Sequence, residues 1–214
     1  MRPRTLFSFL VVVAIALLSG CSTAPKTETA RENLQDDVQT VLARFQREDP
    51  ELKEFLDHSV GYAMFPSAVK GGFIGGAAYG QGVLFEGGRA IGYPAIRQGS
   101  VGLQAGAQEF AELVVFGERG ALEKFKDGKL EFGANASAVV VKAGAAKSAS
   151  FRDGVAVFAE SKSGAMVELS ISGQAFTYKP IDQNGAANEA GNGAREAGMT
   201  QEREVKETRK TSTY

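Results

Sequence analysis

Hydrophobic side chains recur at helical spacing in the segment that follows residue 30. Five apolar residues lie three or four positions apart with polar residues between them: Leu34, Val38, Val41, Leu42 and Phe45. A second helix is expected at Asp49, whose side chain can cap free amides, with Pro50 at the first helical position. Its apolar face would consist of Leu52, Phe55 and Leu56. Short amphipathic helices are marginally stable alone, so we expect both to pack on a larger body.

From residue 60 to residue 178 the pattern becomes that of β-strands. Apolar residues alternate with polar or small ones over residues 100–107 and over residues 165–172, where Leu169 and Ile171 are expected to point inward. Lys162-Ser163-Gly164 fits a hairpin turn before the second of these segments. Further strand candidates are residues 71–85, 109–116, 130–142, 155–161 and 174–178.

One helix, from about Glu118 to Lys126, is expected to interrupt the strands and to stop at Asp127-Gly128. Short turns between the strands imply antiparallel pairing. The predicted fold class is therefore α+β. We expect an antiparallel β-rich domain, either a sandwich or a partly closed barrel, with two N-terminal amphipathic helices and the one inserted helix.

Glycine is concentrated in the strand region, where residues 61–173 hold 21 of the 26 glycines. Within residues 71–82 one strand face carries Ala77 and Tyr79, whereas the other carries Gly76, Gly80 and Gly82. A glycine face marks tight bends or close approach of another backbone, so we assign it to curvature and closure of the sheet. The glycine spacing does not match a phosphate-binding or dinucleotide-binding motif.

The first twenty residues have the pattern of a lipoprotein signal peptide. Arg2 and Arg4 precede an uncharged apolar run over residues 6–18, and small residues then lead into Cys21. The run is too short to span about 30 Å of hydrocarbon as a helix. We expect cleavage after Gly20 and lipidation of Cys21, with palmitate among its two or three acyl chains, which together anchor the protein durably.

These features predict four parts of the chain: a signal peptide (residues 1–20), a lipidated cysteine and tether (21–30), the domain (31–180) and a disordered polar tail (181–214). Ser22 is not an inner-membrane retention residue, so we expect a cell-envelope protein at the outer membrane, facing the periplasm. Cys21 is the only cysteine, which excludes disulfides within the chain.

Charge and catalytic motifs exclude several classes of function. Cleavage of the leader removes Arg2 and Arg4, which leaves 22 basic and 25 acidic side chains and no basic footprint for nucleic acid. His58 is the only histidine, and we expect it to cap a helix C-terminus or to be solvated. Glu109 and Glu112 should lie on opposite faces of a strand. We therefore predict no catalytic residue, no metal site, no cofactor and no enzymatic activity.

Three lysines cluster at the end of the inserted helix and just beyond it: Lys124, Lys126 and Lys129. A second basic group follows closely in the sequence: Lys142, Lys147 and Arg152. Such residues can meet anionic lipid headgroups, with about 1 kcal/mol for each charge near the surface. The alternative is an ordinary solvated surface. Both remain open at this point.

Four sequence blocks together resemble the SYLF domain family, which is also described as the actin- and lipid-binding domain of yeast endocytic proteins. The resemblance covers residues 34–178 approximately, and the blocks occur in the family's order. They are Phe65-Pro66-Ser67-Ala68-Val69-Lys70-Gly71-Gly72-Phe73; residues 102–108 with 113–116; Gly133-Ala134-Asn135-Ala136-Ser137; and Ser161-Lys162-Ser163-Gly164 with residues 169–173.

The resemblance implies a β-rich domain with N-terminal helices and binding of membrane lipid, notably phosphoinositides in eukaryotic members. Lys70 matches a lysine of the family motif and is carried over as a candidate headgroup contact. Three positions depart from the pattern, with Asn135 for aspartate, Ala145 for proline and Glu168 for glycine. Actin and phosphoinositides are absent from a bacterial envelope, so those partners are not carried over.

Three hypotheses follow from these patterns. The first is a non-catalytic membrane-anchored lipoprotein whose SYLF-like domain binds phospholipid headgroups. The second is a structural or protein-interaction module of the envelope, with the glycine-rich sheet contacting a partner protein. The third, a small-molecule carrier, requires the sheet to enclose an apolar cavity.

Overall fold

A computed structural model describes residues 24–72, 75–101, 106–133, 137–162, 169–171 and 173–181. The predicted signal peptide, Cys21 and the polar tail beyond residue 181 lie outside these residues, as do Phe73, Gln104, Asn135 and Glu168. The chain divides into the units Met1–Pro180 and Ile181–Tyr214, and every helix and strand described below belongs to the first.

The described residues form four helices and eight strands. The helices are α1 (Glu28–Glu48), α2 (Glu51–Asp57), α3 (Arg119–Lys126) and α4 (Ala145–Ser148). The strands are β1 (Gly61–Gly72), β2 (Gly75–Glu86), β3 (Arg89–Val101), β4 (Gly106–Phe116), β5 (Ser137–Val140), β6 (Val155–Ser161), β7 (Leu169–Ser170) and β8 (Gln174–Pro180).

Helix α1 has the predicted apolar face but begins earlier than expected. Thr27 is its N-cap, and the Thr27 hydroxyl accepts a hydrogen bond from the Ala30 amide at 3.2 Å. Glu28 in the first turn favours the positive helix end. The buried residues are four of the five predicted ones: Val38, Val41, Leu42 and Phe45. Residues 28–30 therefore belong to the helix rather than to a structureless tether.

The predicted capping role of Asp49 is wrong. Pro50 is the N-cap of α2 and no side chain caps that helix. The Asp49 carboxylate is fully buried and accepts hydrogen bonds from the amides of Gly144, at 3.1 Å, and Ala146, at 2.6 Å. It thus satisfies the free amides of α4, a helix that lies far along the chain and that the sequence did not indicate.

The strands form one strongly curled sheet in the order β7-β5-β6-β4-β1-β2-β3-β8. Seven strands make the main sheet, and the two-residue β7 adds to its edge through β5. All described pairs are antiparallel except β5 with β6. The sheet does not close into a barrel, which confirms the predicted α+β class with a β-rich, partly closed body.

The two faces of the sheet have different neighbours. The inner face encloses a core rich in phenylalanine: Phe65, Phe110, Phe116, Phe125 and Phe176. Helix α3 packs against β8 and β4 at one end of this interior. On the outer face α1 lies against β1 and β2, and α2 packs against α1 and α4. Two large hydrophobic residues of this face, Val69 and Tyr79, are each half exposed.

Glycine produces the curvature that the sequence predicted. A Cβ atom at Gly82 would lie 2.5 Å from the Met64 carbonyl oxygen and 2.7 Å from the Phe65 ring. The pairing register between β1 and β2 shifts just there, between Met64 and Ser67. Only glycine allows β2 to pass this close to the irregular stretch of β1. The closure predicted from the glycine face is wrong, because the sheet does not close into a barrel.

Several strand predictions are wrong in their bounds. Val101 pairs with β2 as part of β3, whereas Gly106 pairs with β1 as part of β4, so these two residues belong to different strands. Among the described residues of the range 130–142, the strand is Ser137–Val140. Leu169 and Ser170 of β7 pair with β5 and not with β6, as the predicted hairpin would require. The strand candidates from the sequence did not include most of β1 or of β3.

Candidate functional site

A cavity of about 540 Å³ lies at the seam of the sheet, meaning the boundary between residues 130–133 and the strands β5 to β7. Residues 130–133 attach to the β8 edge, because Phe132 donates its amide to the Gln174 carbonyl at 3.3 Å and Glu131 bridges to Ala175. The other wall comes from β5, β6 and Ile171. The cavity therefore occupies the place where the sheet remains open.

The deep lining of this cavity is apolar and continuous with the core. Leu130, Ala138, Val155, Val157 and Ile171 all belong to the buried core cluster and all face the cavity. Ile171 is 2% exposed, which confirms its predicted inward direction. The polar lining residues are instead exposed: Ser148 at the end of α4, Ser150, Arg152 and Asp153 after it, and Glu131 on the facing segment.

The N-terminal helices hold the rim of the cavity in place. Asp49, at the junction of α1 and α2, binds the first amides of α4. The Phe55 ring of α2 stacks on Phe151, with ring centroids 4.9 Å apart and planes 18° apart. Arg152 is tied to β6, since its amide donates to the Val155 carbonyl at 2.8 Å and its carbonyl accepts from the Val155 amide at 2.9 Å.

Three cations in or near the cavity lining have no described ion pair: Arg152 lines the cavity, whereas Lys147 lies within α4 and Lys142 precedes it, and neither lysine is a lining residue. Lys142, Lys147 and Arg152 are exposed, and none of them forms an ion pair with a residue in the described ranges. One acid, Asp153, lies in the same stretch. We call these three cations the rim cations.

The lysines of the predicted cluster on α3 have a different environment. The Lys126 ammonium binds the carboxylates of Glu86, at 2.9 Å, and Glu123, at 3.3 Å. Lys129 binds Asp127 at 2.8 Å. Hydrogen bonds from Lys126 and then from Arg119 lower the pKa of Glu86 below its ordinary value. Lys124 is exposed, and no ion pair joins it to another described residue. This cluster is therefore largely neutralised by neighbouring carboxylates.

Lys70, the candidate headgroup contact, lies in the interior rather than on the surface. Its side chain is on the inner face with Ala68, and the residue is 7% exposed. Burial lowers the pKa of Lys70, and the negative charge of Glu112 opposes that shift. A lysine in this position is not presented to a membrane surface in the described fold.

Glu112 is the most perturbed acid of the described residues. It is fully buried, and its Oε2 atom accepts a hydrogen bond from Gln174 Nε2 at 3.0 Å. Burial raises the pKa of Glu112 to about 7, although the Gln174 bond and the Lys70 charge act in the opposite direction. Among the described residues nothing binds Glu112 Oε1 or Gln174 Oε1. Glu112, Gln174 and Lys70 form the interior polar group.

Glu109 lies on the opposite face of β4, as predicted. Its carboxylate accepts hydrogen bonds from the Ser67 hydroxyl at 2.7 Å and from the Lys162 ammonium at 2.9 Å. These bonds lower the pKa of Glu109. His58 also behaves as predicted, since it is the C-cap residue of α2 and its Nδ1 lies 2.8 Å from the Glu54 carbonyl. Neither residue contacts the cavity.

Sequence reasoning missed the cavity and α4. The only signal for α4 was the small-residue stretch Ala143 to Ala146, which also occurs in loops. The rim cations were noted as near neighbours in sequence but were not distinguished from the α3 lysines, because charge partners cannot be read from spacing along the chain.

Two further observations concern the described residues alone. No group of three or more His, Cys, Asp or Glu side chains in them is arranged to hold a metal ion. None of the four described helices combines the length and the apolar character that a membrane crossing requires.

A curled open sheet with an apolar cavity at its seam and cations at the cavity rim defines a β-rich domain with an internal pocket. Residues 97–190 match the model of a protein family described as Ysc84, Las17-binding protein actin regulator. This match agrees with the SYLF resemblance over residues 97–190. The match covers less than half of the chain but includes the whole cavity lining. No curated protein matches the chain.

Proposed function

We propose that this chain is a non-catalytic lipoprotein, anchored through Cys21 at the periplasmic side of the outer membrane, whose SYLF-type domain binds the headgroups of anionic phospholipids. The observation that carries the proposal is the set of rim cations, which are exposed and lack ion pairs among the described residues. Positive charges without protein partners are available to headgroup phosphates, at about 1 kcal/mol each.

The expected anchor supports the same conclusion by distance. Cys21 precedes Glu28, the first residue of α1, by only seven positions. Seven residues span at most about 25 Å when fully extended. A lipidated Cys21 would therefore keep the start of α1 close to the bilayer surface, and even weak headgroup contacts become effective at that high local concentration.

A vesicle flotation experiment tests the headgroup claim. It uses the expected mature chain with Cys21→Ser, which retains every residue that the structure describes, and vesicles of phosphatidylethanolamine with or without phosphatidylglycerol. We expect flotation with the anionic vesicles at low salt and its loss at high salt, because screening weakens exposed charges. Absence of flotation with every vesicle type would overturn the headgroup claim.

Two sets of charge reversals locate the contact. Reversal of Lys142, Lys147 and Arg152 to Glu should remove at least about 3 kcal/mol of binding free energy, or about a hundredfold in affinity. Reversal of Lys129, just beyond α3, is the control, because Asp127 already binds its ammonium group at 2.8 Å. If only this reversal weakens binding, the site is the lysine cluster predicted from the sequence.

The anchor has its own test. Mass spectrometry of the native N-terminus should find acylated Cys21 as the first residue, and membrane fractionation should place the protein in the outer membrane. An unmodified Cys21, or an intact leader, contradicts the anchor without affecting the vesicle result for the soluble form.

A second candidate function is a protein-interaction module, favoured by two exposed hydrophobic side chains of the sheet. Val69 and Tyr79 pair across β1 and β2 and are each 50% exposed. The family description names a Las17-binding protein, so protein binding is a property stated for that family. A photo-crosslinker at Tyr79 that captures one stoichiometric envelope protein in cells, and loses it on Val69→Lys, supports this alternative.

A further inference from the structure

We infer that the seam cavity takes one acyl chain, with the anionic head of that chain against Arg152 at the rim. The inference rests on the proposed function and deepens it. The domain would not only contact a lipid surface but also take one acyl chain from that surface into the cavity.

The size and lining of the cavity fit this occupant. Its volume of about 540 Å³ lies within the range of about 300–1,000 Å³ that is usual for small-molecule sites. Ala138, Val157 and Ile171 present only carbon to its deep part. The buried aliphatic side chains of this part offer no polar group to retain water, so this part of the cavity favours an apolar guest.

The polarity of the lining changes in one direction. Charged lining residues are confined to the exposed rim, with Arg152 and Asp153 after α4 and Glu131 on the facing segment. Two hydrogen bonds to Val155 hold the Arg152 backbone beside β6, and the residue is exposed, so Arg152 belongs to the rim. Lys142 and Lys147 add positive charge on the α4 side.

This arrangement selects against other common ligands. A nucleotide or a sugar carries polar groups along its whole length, and the deep lining offers them no charged partner. A flat aromatic cofactor would need stacking partners, and among the described lining residues Phe132 is the only aromatic one. An unbranched chain with a single terminal anion requires only apolar contact along its length and one cation at its end.

The first experiment uses the Cys21→Ser mature chain and the fluorescent fatty acid cis-parinaric acid. We expect saturable binding of one probe per chain. Arg152→Glu should weaken binding of the acid by about tenfold or more while leaving its uncharged methyl ester nearly unaffected. Lys124→Glu, an equal change of charge on α3, is the matched control and should leave both probes bound. Absence of saturable binding, or equal loss for acid and ester, overturns the inference.

The second experiment fills the cavity from within. Ala138→Leu and Val157→Phe add carbon at two separate points of the lining, and circular dichroism and thermal unfolding establish which variants fold. Each folded variant should lose both the acid and the ester probe. Unchanged binding of both probes in a folded variant overturns the inference, and the use of two sites keeps the test decisive if one variant does not fold.

A displacement experiment decides whether the bound acyl chain comes from a free fatty acid or from a membrane phospholipid. Palmitate and phosphatidylglycerol vesicles are added separately to the probe complex. Displacement by palmitate assigns a free fatty acid, displacement by vesicles assigns a membrane phospholipid, and displacement by neither overturns the inference. Flotation with anionic vesicles in the absence of probe binding refutes the cavity site alone, whereas absence of flotation refutes the proposed headgroup contact.

Discussion

The interior of the curled sheet is filled at one end and hollow at the other. At the α3 end the rings of Phe116 and Phe125 lie 4.9 Å apart, and those of Phe125 and Phe176 lie 4.8 Å apart. At the seam, residues of the same core line an open cavity. The packed end contributes dispersion and burial to folding, whereas the seam leaves apolar surface available to a guest.

The lysines beside these two ends differ in the same way. Next to the packed end, Lys126 is bound by Glu86 and Glu123. Next to the cavity, Lys142 and Lys147 have no ion pair with described residues. One end of the domain is thus satisfied within the fold, both in packing and in charge, and the other end is not. An unsatisfied region is where external ligands gain most.

The largest expected effect comes from the packed end. Phe125→Ala should lower the free energy of unfolding by about 3–5 kcal/mol, because it opens a cavity among rings that the fold does not refill. Ala138→Leu in the seam cavity should change it by less than about 1.5 kcal/mol, since the added carbon enters existing space. Urea unfolding at neutral pH measures both. Equal losses would contradict the distinction between the two ends.

The interior polar group should make stability depend on pH. Because burial raises the pKa of Glu112 to about 7, the folded state holds a proton that the unfolded state releases near its ordinary value of 4.5. The contribution of Glu112 to the stability of the fold is fully present below pH 4.5 and is lost as pH rises through about 7. The loss is on the order of 3 kcal/mol, at about 1.4 kcal/mol for each pKa unit.

Glu112→Gln should remove this fall in stability, which urea unfolding at a series of pH values measures. Glu109→Gln is the control of opposite sign, because hydrogen bonds lower the pKa of Glu109. Its contribution is present above the ordinary carboxyl pKa and is lost as pH falls through the lowered value. If the Glu112→Gln protein has the same dependence of stability on pH as the unsubstituted chain, the pKa of Glu112 is not raised in the folded state.

A smaller effect is expected at the support of the cavity rim. Asp49→Ala leaves the amides of Gly144 and Ala146 without their acceptor and should cost about 1–3 kcal/mol. Hydrogen exchange should quicken first in α4. Asp57→Ala, which removes an exposed carboxylate from α2, is the control and should cost less than about 0.5 kcal/mol. Uniform loss of protection across the sheet would assign Asp49 to global folding instead.

The smallest effect separates the two groups of lysines. Lys126→Met breaks the pairs with Glu86 and Glu123 and should lower the free energy of unfolding by about 0.5–1 kcal/mol in low salt. Lys147→Met breaks no described pair and should leave it unchanged. Thermal unfolding at two salt concentrations resolves the difference. A larger loss for Lys147 would mean that the rim cation has a structural partner.

Periodicity predicted those elements whose neighbours lie on one side only. The apolar face of α1, the course of α3 and its stop at Asp127-Gly128 follow from local pattern and are confirmed. Strand β1 was missed because Ala63, Met64 and Phe65 are all buried, on both faces of the sheet, so no alternation is visible. Residues covered on two sides read as a continuous apolar run in any fold.

The sequence by itself determined the β-rich class with its helices, the curvature expected from the glycine face, and the opposite directions of Glu109 and Glu112. Each of these depends on residues a few positions apart. Only the tertiary structure decided that Asp49 caps α4, that Lys126 is neutralised by Glu86, and that the seam holds a cavity. Those features join residues 95 and 40 positions apart, as with Asp49 and Gly144 or Glu86 and Lys126, and local spacing carries no information about such distant partners.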